Sequence, residues 1–382
     1  MGNRADVAVV GGGIVGLAFA WEAARRGKSV VLFERGGLAQ GASVRNFGMV
    51  WPIGQRPGED YQLAMRSRER WLELRDLAGI PVRECGSIHA VYEDDENAVI
   101  REFAELARTN GIACESVEPA EAAKRFPSLQ TQGLKGVLSS PTELCVDPRQ
   151  AIAATPAFLK EKYGVALRFG TVVTGIEMPR VTAANGETWT VEHAFVCAGA
   201  DFETLFPKEF AATGIVRCKL QMMRTRPQPN GWQLGPHLAG GLTLGHYKSF
   251  EACPSLPAMK RRHAEQYPLH AKYGIHVMAS QNPLGEVVIG DSHEYGPDPS
   301  PFDNLHIDEL ILEYLRTMLR LPDPAIAAKW HGVYAKHPTQ LYCTAEPQPN
   351  CRIVTSPGGA GMTLSFGIAR RWWDTFEGTH RA

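Results

Sequence analysis

Gly11, Gly13 and Gly16 stand in the spacing G-x-G-x-x-G, and Glu34 closes the next apolar run. Each of these residue types has a task in holding a dinucleotide. Gly11 allows a tight turn, Gly13 lets a pyrophosphate approach the backbone, and Gly16 lets a helix pack closely on a strand. The Glu34 carboxylate can accept hydrogen bonds from ribose hydroxyls, and it would repel a ribose 2′-phosphate. The elements needed to position these groups are present in the right order. Residues 7–10 (VAVV) read as a buried parallel strand. Ile14 and Val15 lead into a helix over 17–26 whose amides and dipole favour phosphate, Gly27 fits a left-handed cap, and 29–33 read as a second strand.

Beyond Glu34 the stretch 35–50 is rich in glycine. It offers Arg35, Ser43, Arg45 and Asn46 as polar handles and Gly48, Met49 and Val50 as a close-approach segment. Further along, Asp147-Pro148 reads as a helix start, an Asp cap followed by a proline in the first turn. Residues 170–173 (GTVV) and 194–200 (AFVCAGA) read as strands, the second running into a glycine turn. Residues 356–364 (SPGGAGMTL) form a glycine loop ahead of a C-terminal helix. On the residues alone, either FAD or NAD fits such a site.

The chain of 382 residues carries 44% hydrophobic and 21% charged residues, a globular composition long enough for about two domains. Forty Lys plus Arg against forty-one Asp plus Glu give a net charge of -1. That balance argues against a nucleic-acid binder working by phosphate neutralisation. The eight cysteines stand singly, with no zinc spacing, so free thiols, a cytoplasmic location and no metal are expected. The only candidate membrane or export segment, 7–21, is interrupted by glycines and is better read as the dinucleotide unit.

Taken in order, these blocks resemble the D-amino-acid oxidase superfamily of flavoenzymes, the group containing glycine oxidase and sarcosine oxidase. The resemblance implies an α/β fold: a Rossmann-like FAD-binding domain with an interleaved α+β substrate domain. The FAD-binding domain would comprise 1–80, 140–215 and 330–382, and the substrate domain 81–139 and 216–329. It further implies that Val173 touches the adenine, that Ala198 and Gly199 close over the cofactor, and that Gly359, Gly361, Met362 and Thr363 present amides to the flavin. Residue by residue, the cofactor set is Gly11, Gly13, Ile14, Val15, Gly16, Glu34, Arg35, Ser43, Arg45, Asn46, Gly48, Met49, Val50 and these later positions. Gln340 stands where relatives carry a flavin-linking cysteine, which implies noncovalent FAD.

The implied chemistry is oxidation of a small-molecule amine with hydride transfer to flavin N5 and reoxidation by oxygen to give hydrogen peroxide. The flavin performs that chemistry, so no certain catalytic side chain is expected. Where amino-acid oxidases of this group carry a carboxylate-binding arginine, the stretch 330–337 (WHGVYAKH) places Tyr334. The runs 45–52 (RNFGMVWP) and 329–334 (KWHGVY) resemble a subgroup associated with aminophosphonate catabolism, implying a 2-aminoethylphosphonate-like substrate or its N-methyl form. Candidate anion holders are Lys336, Lys219 and Lys248, with Tyr334, Tyr247 and His337 as donors and Met49 lining the substrate face. Taken singly, each of these lysines and donors is more simply a solvated cation or a satisfied polar group, Lys336 less so because it adjoins the position of the missing arginine, and His293, read alone, is structural. A glycine or sarcosine oxidase, a dehydrogenase with another electron acceptor and a flavin-binding scaffold without turnover are the competing readings.

Helices are expected at 60–77, at 97–110 with Asn97 as cap, and from Asp303 or Asn304 to the breaker Pro322. Strands are expected at 215–225, 274–279 and 286–289, with loops at 226–236 and 296–301.

Overall fold

The computed structural model describes residues 3–381, with side chains through 377. Two large sheets organise it. The first has eight strands, ordered Val173–Glu177, Arg180–Ala183, Thr188–Val196, Asn3–Val10, Val30–Glu34 and Ala166–Phe169. Asn3–Val10 pairs in parallel with Val30–Glu34 on one side and Thr188–Val196 on the other. The second half of Thr188–Val196 also pairs in parallel with Cys351–Thr355, which pairs antiparallel with Cys343–Gln348. Strands from both ends of the chain therefore meet at one place, where the glycine loops emerge.

Ile14–Ala24 and Gly361–Arg381 pack on this sheet, and Glu59–Ala78 packs in turn against Gly361–Arg381. Their apolar faces interlock through Phe19, Trp21, Trp71, Phe366 and Trp373, all fully buried, with Phe366 edge-on to Trp71 at 5.0 Å and to Trp21 at 5.5 Å. The Trp71 indole donates to the Met362 carbonyl at 2.7 Å, fixing the C-terminal helix where the glycine loop feeds into it.

The second sheet has nine strands, mostly antiparallel, ordered Glu294–Gly296, Val216–Pro227, Glu286–Gly290, Met278–Gln281, His237–Gly240, Ser87–Val91, Gly136–Ser140 and Glu115–Val117, with Ile326–Lys336 also paired to Val216–Pro227. Its core is packed by Leu305–Met318, capped as expected by the Asn304 side chain. A three-stranded sheet of Met49–Val50, Leu144–Val146 and Val82–Glu84 lies off both.

Several expectations are corrected. The boundary at 330 falls inside Ile326–Lys336, which pairs along its length with Val216–Pro227, so the chain leaves the second sheet only after Lys336. The helix expected from Asn97 begins at Asp94, because Asp94, Asp95 and Glu96 favour the positive helix end and Glu96 is anchored by Arg262 and His263. Residues 170–172 are a turn between strands, with Gly170 in the left-handed region. The strand expected at 274–279 is Met278–Gln281, since residues 274–277 are irregular. Among the described residues no helix is long and apolar enough to cross a membrane.

Candidate active site

Between the first sheet and the strand Ile326–Lys336 lies a cavity of about 540 Å³. The backbone at its nucleotide end admits only glycine. Gly11 has φ +108° and a β-carbon there would stand 2.3 Å from the Cys197 carbonyl oxygen, while one on Gly16 would stand 1.9 Å from the Gly11 oxygen. Helix Ile14–Ala24 thus starts hard against the strand end, its first turn facing the cavity. Glu34 closes the second strand and accepts from the Gly12 amide at 2.8 Å through Oε2 and from the Gly36 amide at 2.9 Å through Oε1. A carboxylate has about four acceptor positions, so two remain for ribose hydroxyls.

Most of the expected cofactor residues line this one cavity: Gly11, Gly13, Ile14, Val15, Glu34, Arg35, Ser43, Arg45, Asn46, Val173, Ala198, Gly199, Gly359, Gly361 and Met362. Several shape it through their own bonds. The Ser43 hydroxyl accepts from the Ile14 amide at 2.9 Å. Asn46 donates to the carbonyls of Ala42 and Ser43 and accepts from the Gly48 amide at 2.8 Å, stapling the turn 42–48. Arg35 pairs with Asp201 at the rim.

Five expected residues do not line the cavity. Gly16 and Gly48 act by close packing, a β-carbon on Gly48 standing 2.0 Å from the Val146 oxygen. Met49 and Val50 pair with Leu144 and Cys145, and the Thr363 hydroxyl is taken by the Trp51 amide at 2.9 Å. Conversely Thr204 and Leu220 line the cavity although no sequence motif points to them, and Thr171, Val172 and Ser356 line it from within the blocks 170–173 and 356–364, where the motif reading picks out only their neighbours. Ser356 is buried at φ +60° with its hydroxyl unpartnered, beside the left-handed Gly358. Only the adjoining glycine loop signals it in the sequence.

The substrate candidates divide. Tyr334 lines the cavity, and burial holds its phenol protonated. Lys336, two residues on, bridges to Pro357, its Nζ 3.1 Å from where a β-carbon of Gly358 would stand. Among the described residues no carboxylate pairs with Lys336, and burial, then Lys248, lowers its pKa below that of an ordinary lysine. Lys219 is a correction: its side chain is 1% exposed, its Nζ is paired with Asp303 at 2.9 Å and with the Phe302 carbonyl, and it does not line the cavity, so its charge is already neutralised away from a substrate. His337 Nδ1 accepts from the Gln340 amide at 2.9 Å and serves a turn, and Tyr247 donates to the Met278 sulfur at 3.4 Å. Lys248 reaches the Thr339 carbonyl at 3.5 Å. Met49 packs with Trp51, Tyr61 and Phe250.

A glycine-lined cavity at the carboxyl ends of parallel strands, with an acid at the second strand's end, defines a dinucleotide-cofactor enzyme. The chain belongs to the FAD dependent oxidoreductase family, whose sequence profile matches residues 6–372. Its cofactor is FAD, and it is an oxidoreductase. It is 28% identical over 221 residues to the glycine oxidase of Bacillus licheniformis, a match covering 54% of this chain and 57% of that protein. It is 27% identical to one component of the anaerobic glycerol-3-phosphate dehydrogenase of Escherichia coli, covering 46% of this chain and 32% of that one. The chain thus spans little more than half of the first relative's length and about a third of the second's. In fold it is similar to the glycine oxidase structure from Geobacillus kaustophilus, with TM-score 0.77, 20% identity and 98% and 95% of the two chains covered. The L-proline dehydrogenase from P. horikoshii gives TM-score 0.76 at 21% identity, covering 97% and 92%.

The cavity fits FAD on its own geometry. The open Glu34 acceptors, the glycine loop at 11–16 and the unpartnered Ser356 hydroxyl are the groups that would hold ribose, pyrophosphate and ring, with the amides of Gly359 and Gly361 at the start of the last helix. Bound FAD supplies a hydride acceptor, which leaves the protein to orient the donor.

Proposed function

We propose that the protein is an FAD-dependent amine oxidase whose substrate carries a strongly anionic group, an aminophosphonate similar to 2-aminoethylphosphonate or its N-methyl form. The observation that carries this reading is Lys336, a partly buried ammonium without a carboxylate partner, two residues from Tyr334 and against the glycine loop. An unpaired buried cation is costly, and an entering oxyanion would pair with it. Lysine suits the tetrahedral oxygens of a phosphonate as a point charge, where a planar carboxylate would favour an arginine fork. Tyr334, kept neutral, would donate a hydrogen bond beside it.

The amine would lose a hydride from its α-carbon to FAD, water would hydrolyse the resulting imine to an aldehyde, and oxygen would reoxidise the cofactor to give peroxide. FAD would be held noncovalently, since Cys343 is buried at the start of a strand of the first sheet and the resemblance aligns the exposed Gln340 with the relatives' linking cysteine. A glycine or sarcosine oxidase is the second reading, favoured by the glycine oxidases among its relatives.

Peroxide release screened over 2-aminoethylphosphonate, its N-methyl form, glycine and sarcosine separates the two. The first reading expects the highest kcat/KM on an aminophosphonate. Faster turnover of glycine or sarcosine replaces it with the second. Flavin left in the supernatant after acid precipitation would support noncovalent binding.

A further inference from the structure

We infer that His246, His276, His293 and Asp291 form a binding site for one divalent transition-metal ion of the zinc class, independent of which amine is oxidised. Separate elements bring the four together. His246 ends the short helix Leu242–His246, His276 lies just ahead of Met278–Gln281, and Asp291 and His293 follow Glu286–Gly290. A ligand atom from each of the three histidines lies within 4.8 Å of the others. The ring centroids are 3.8 Å apart for His246 and His276, 4.7 Å for His246 and His293, and 4.9 Å for His276 and His293.

Asp291 sits against two of them, Oδ1 3.5 Å from His276 Nε2 and Oδ2 3.9 Å from His293 Nε2. Those separations are too long for good hydrogen bonds. They are close to the spacing of about 3.4 Å between two ligands that share one tetrahedral ion at about 2.0–2.1 Å each.

The unmet bonding is the second observation. His276 is 4% exposed with both ring nitrogens unpartnered, and Asp291 is 5% exposed with Oδ1 unpartnered. Buried polar atoms are rarely left so, and a single cation would satisfy them together. His293 is already oriented as a ligand: its Nδ1–H donates to the Gly274 carbonyl at 2.9 Å, which leaves the Nε2 lone pair free. His246 opens to solvent and gives an ion its way in.

Lys336 lies in electrostatic reach of His246 and His293, so a bound anion is the rival occupant. The Asp291 carboxyl between His276 and His293 favours the cation. The sequence concealed the site because positions 246, 276, 291 and 293 follow no zinc-motif spacing.

The test strips the FAD-loaded protein with a chelator, titrates it with Zn²⁺ and with Co²⁺, and measures retained metal after desalting. One zinc per chain and visible Co²⁺ d–d bands of a four- or five-coordinate site are expected. Loss of a residue that only hydrogen-bonds a metal ligand costs about 10–100-fold in metal affinity, so Asp291→Ala and His276→Ala should each weaken zinc binding by about 100-fold or more. His246→Ala, at a solvent-facing position, should do the same while the flavin spectrum stays intact, and it decides the matter if the buried variants do not fold. Zinc uptake that His246→Ala leaves unchanged, or no uptake by the parent protein, overturns the proposal. So does inorganic phosphate binding to the stripped protein, lost in His246→Ala, without zinc binding.

Discussion

At the nucleotide end of the cavity the polar groups already have partners, whereas in the second sheet several buried ones have none. Glu34 accepts from two amides, Asn46 bonds to both sides of its turn, and Ser43 holds the first helical amide. In the second sheet His89 is fully buried with both ring nitrogens unpartnered, and His237, His276 and Asp291 each keep an unpartnered atom. The first region is a rigid receptor whose shape is set by backbone. The second holds desolvated side chains whose energetics depend on pH and on what binds.

The largest expected effect comes from breaking the rigid end. Gly16→Val puts side-chain atoms where a β-carbon is already 1.9 Å from a carbonyl oxygen, so helix Ile14–Ala24 must move off the strand. The variant should purify colourless if it folds, checked by its flavin absorbance. A yellow protein with parental FAD content would show that the close approach is dispensable.

Next is acid sensitivity of the second sheet. Burial lowers the pKa of His89 to about 3 and of His237 to about 4. Both are neutral in the fold, while unfolded histidines take protons below about pH 6.5, so stability is full above that pH and is lost as pH falls toward the native values. The two together should cost about 4 kcal/mol between pH 7 and 5, at about 1.4 kcal/mol per pH unit each. Urea midpoints across that range measure it. His89→Phe, beside Trp51 and Phe250, should remove about half the slope.

Lys336→Met should raise KM for an anionic amine about 10–100-fold with a smaller change in kcat, the usual value of a charge-assisted hydrogen bond. Lys219→Met should not change KM in that way, because Lys219 is occupied by Asp303 and the Phe302 carbonyl. Equal effects of the two would erase the distinction between them. The smallest effect is expected at Asp147, whose side chain accepts from the Arg149 amide at 3.0 Å and caps Pro148–Tyr163. Asp147→Ala should lower stability by about 1 kcal/mol and leave turnover unchanged, as thermal melts and kcat would show.

The same contrast explains what could be read from the sequence. Gly11, Gly16 and Glu34 were legible because their constraints are local: a turn, a helix start and a strand end lie next to one another in the chain. The Asp147 and Asn304 caps were legible for the same reason. In sequence Lys336 is set apart from Lys219 only by adjoining the position of the missing arginine, and it is the fold that brings Asp303 to Lys219 and leaves Lys336 without an acid. Leu220 and Thr204 reach the cavity through tertiary placement that no local pattern encodes. His293 read alone was a structural histidine, and its meaning changes once His246 and His276 stand beside it.

The most direct measurement of the central claim mixes the yellow protein anaerobically with each amine and follows flavin bleaching by stopped flow. An FAD oxidoreductase specific for an anionic amine should be reduced fastest by an aminophosphonate, and more slowly by that compound after Lys336→Met. Reduction fastest by glycine or sarcosine and indifferent to Lys336→Met would contradict it.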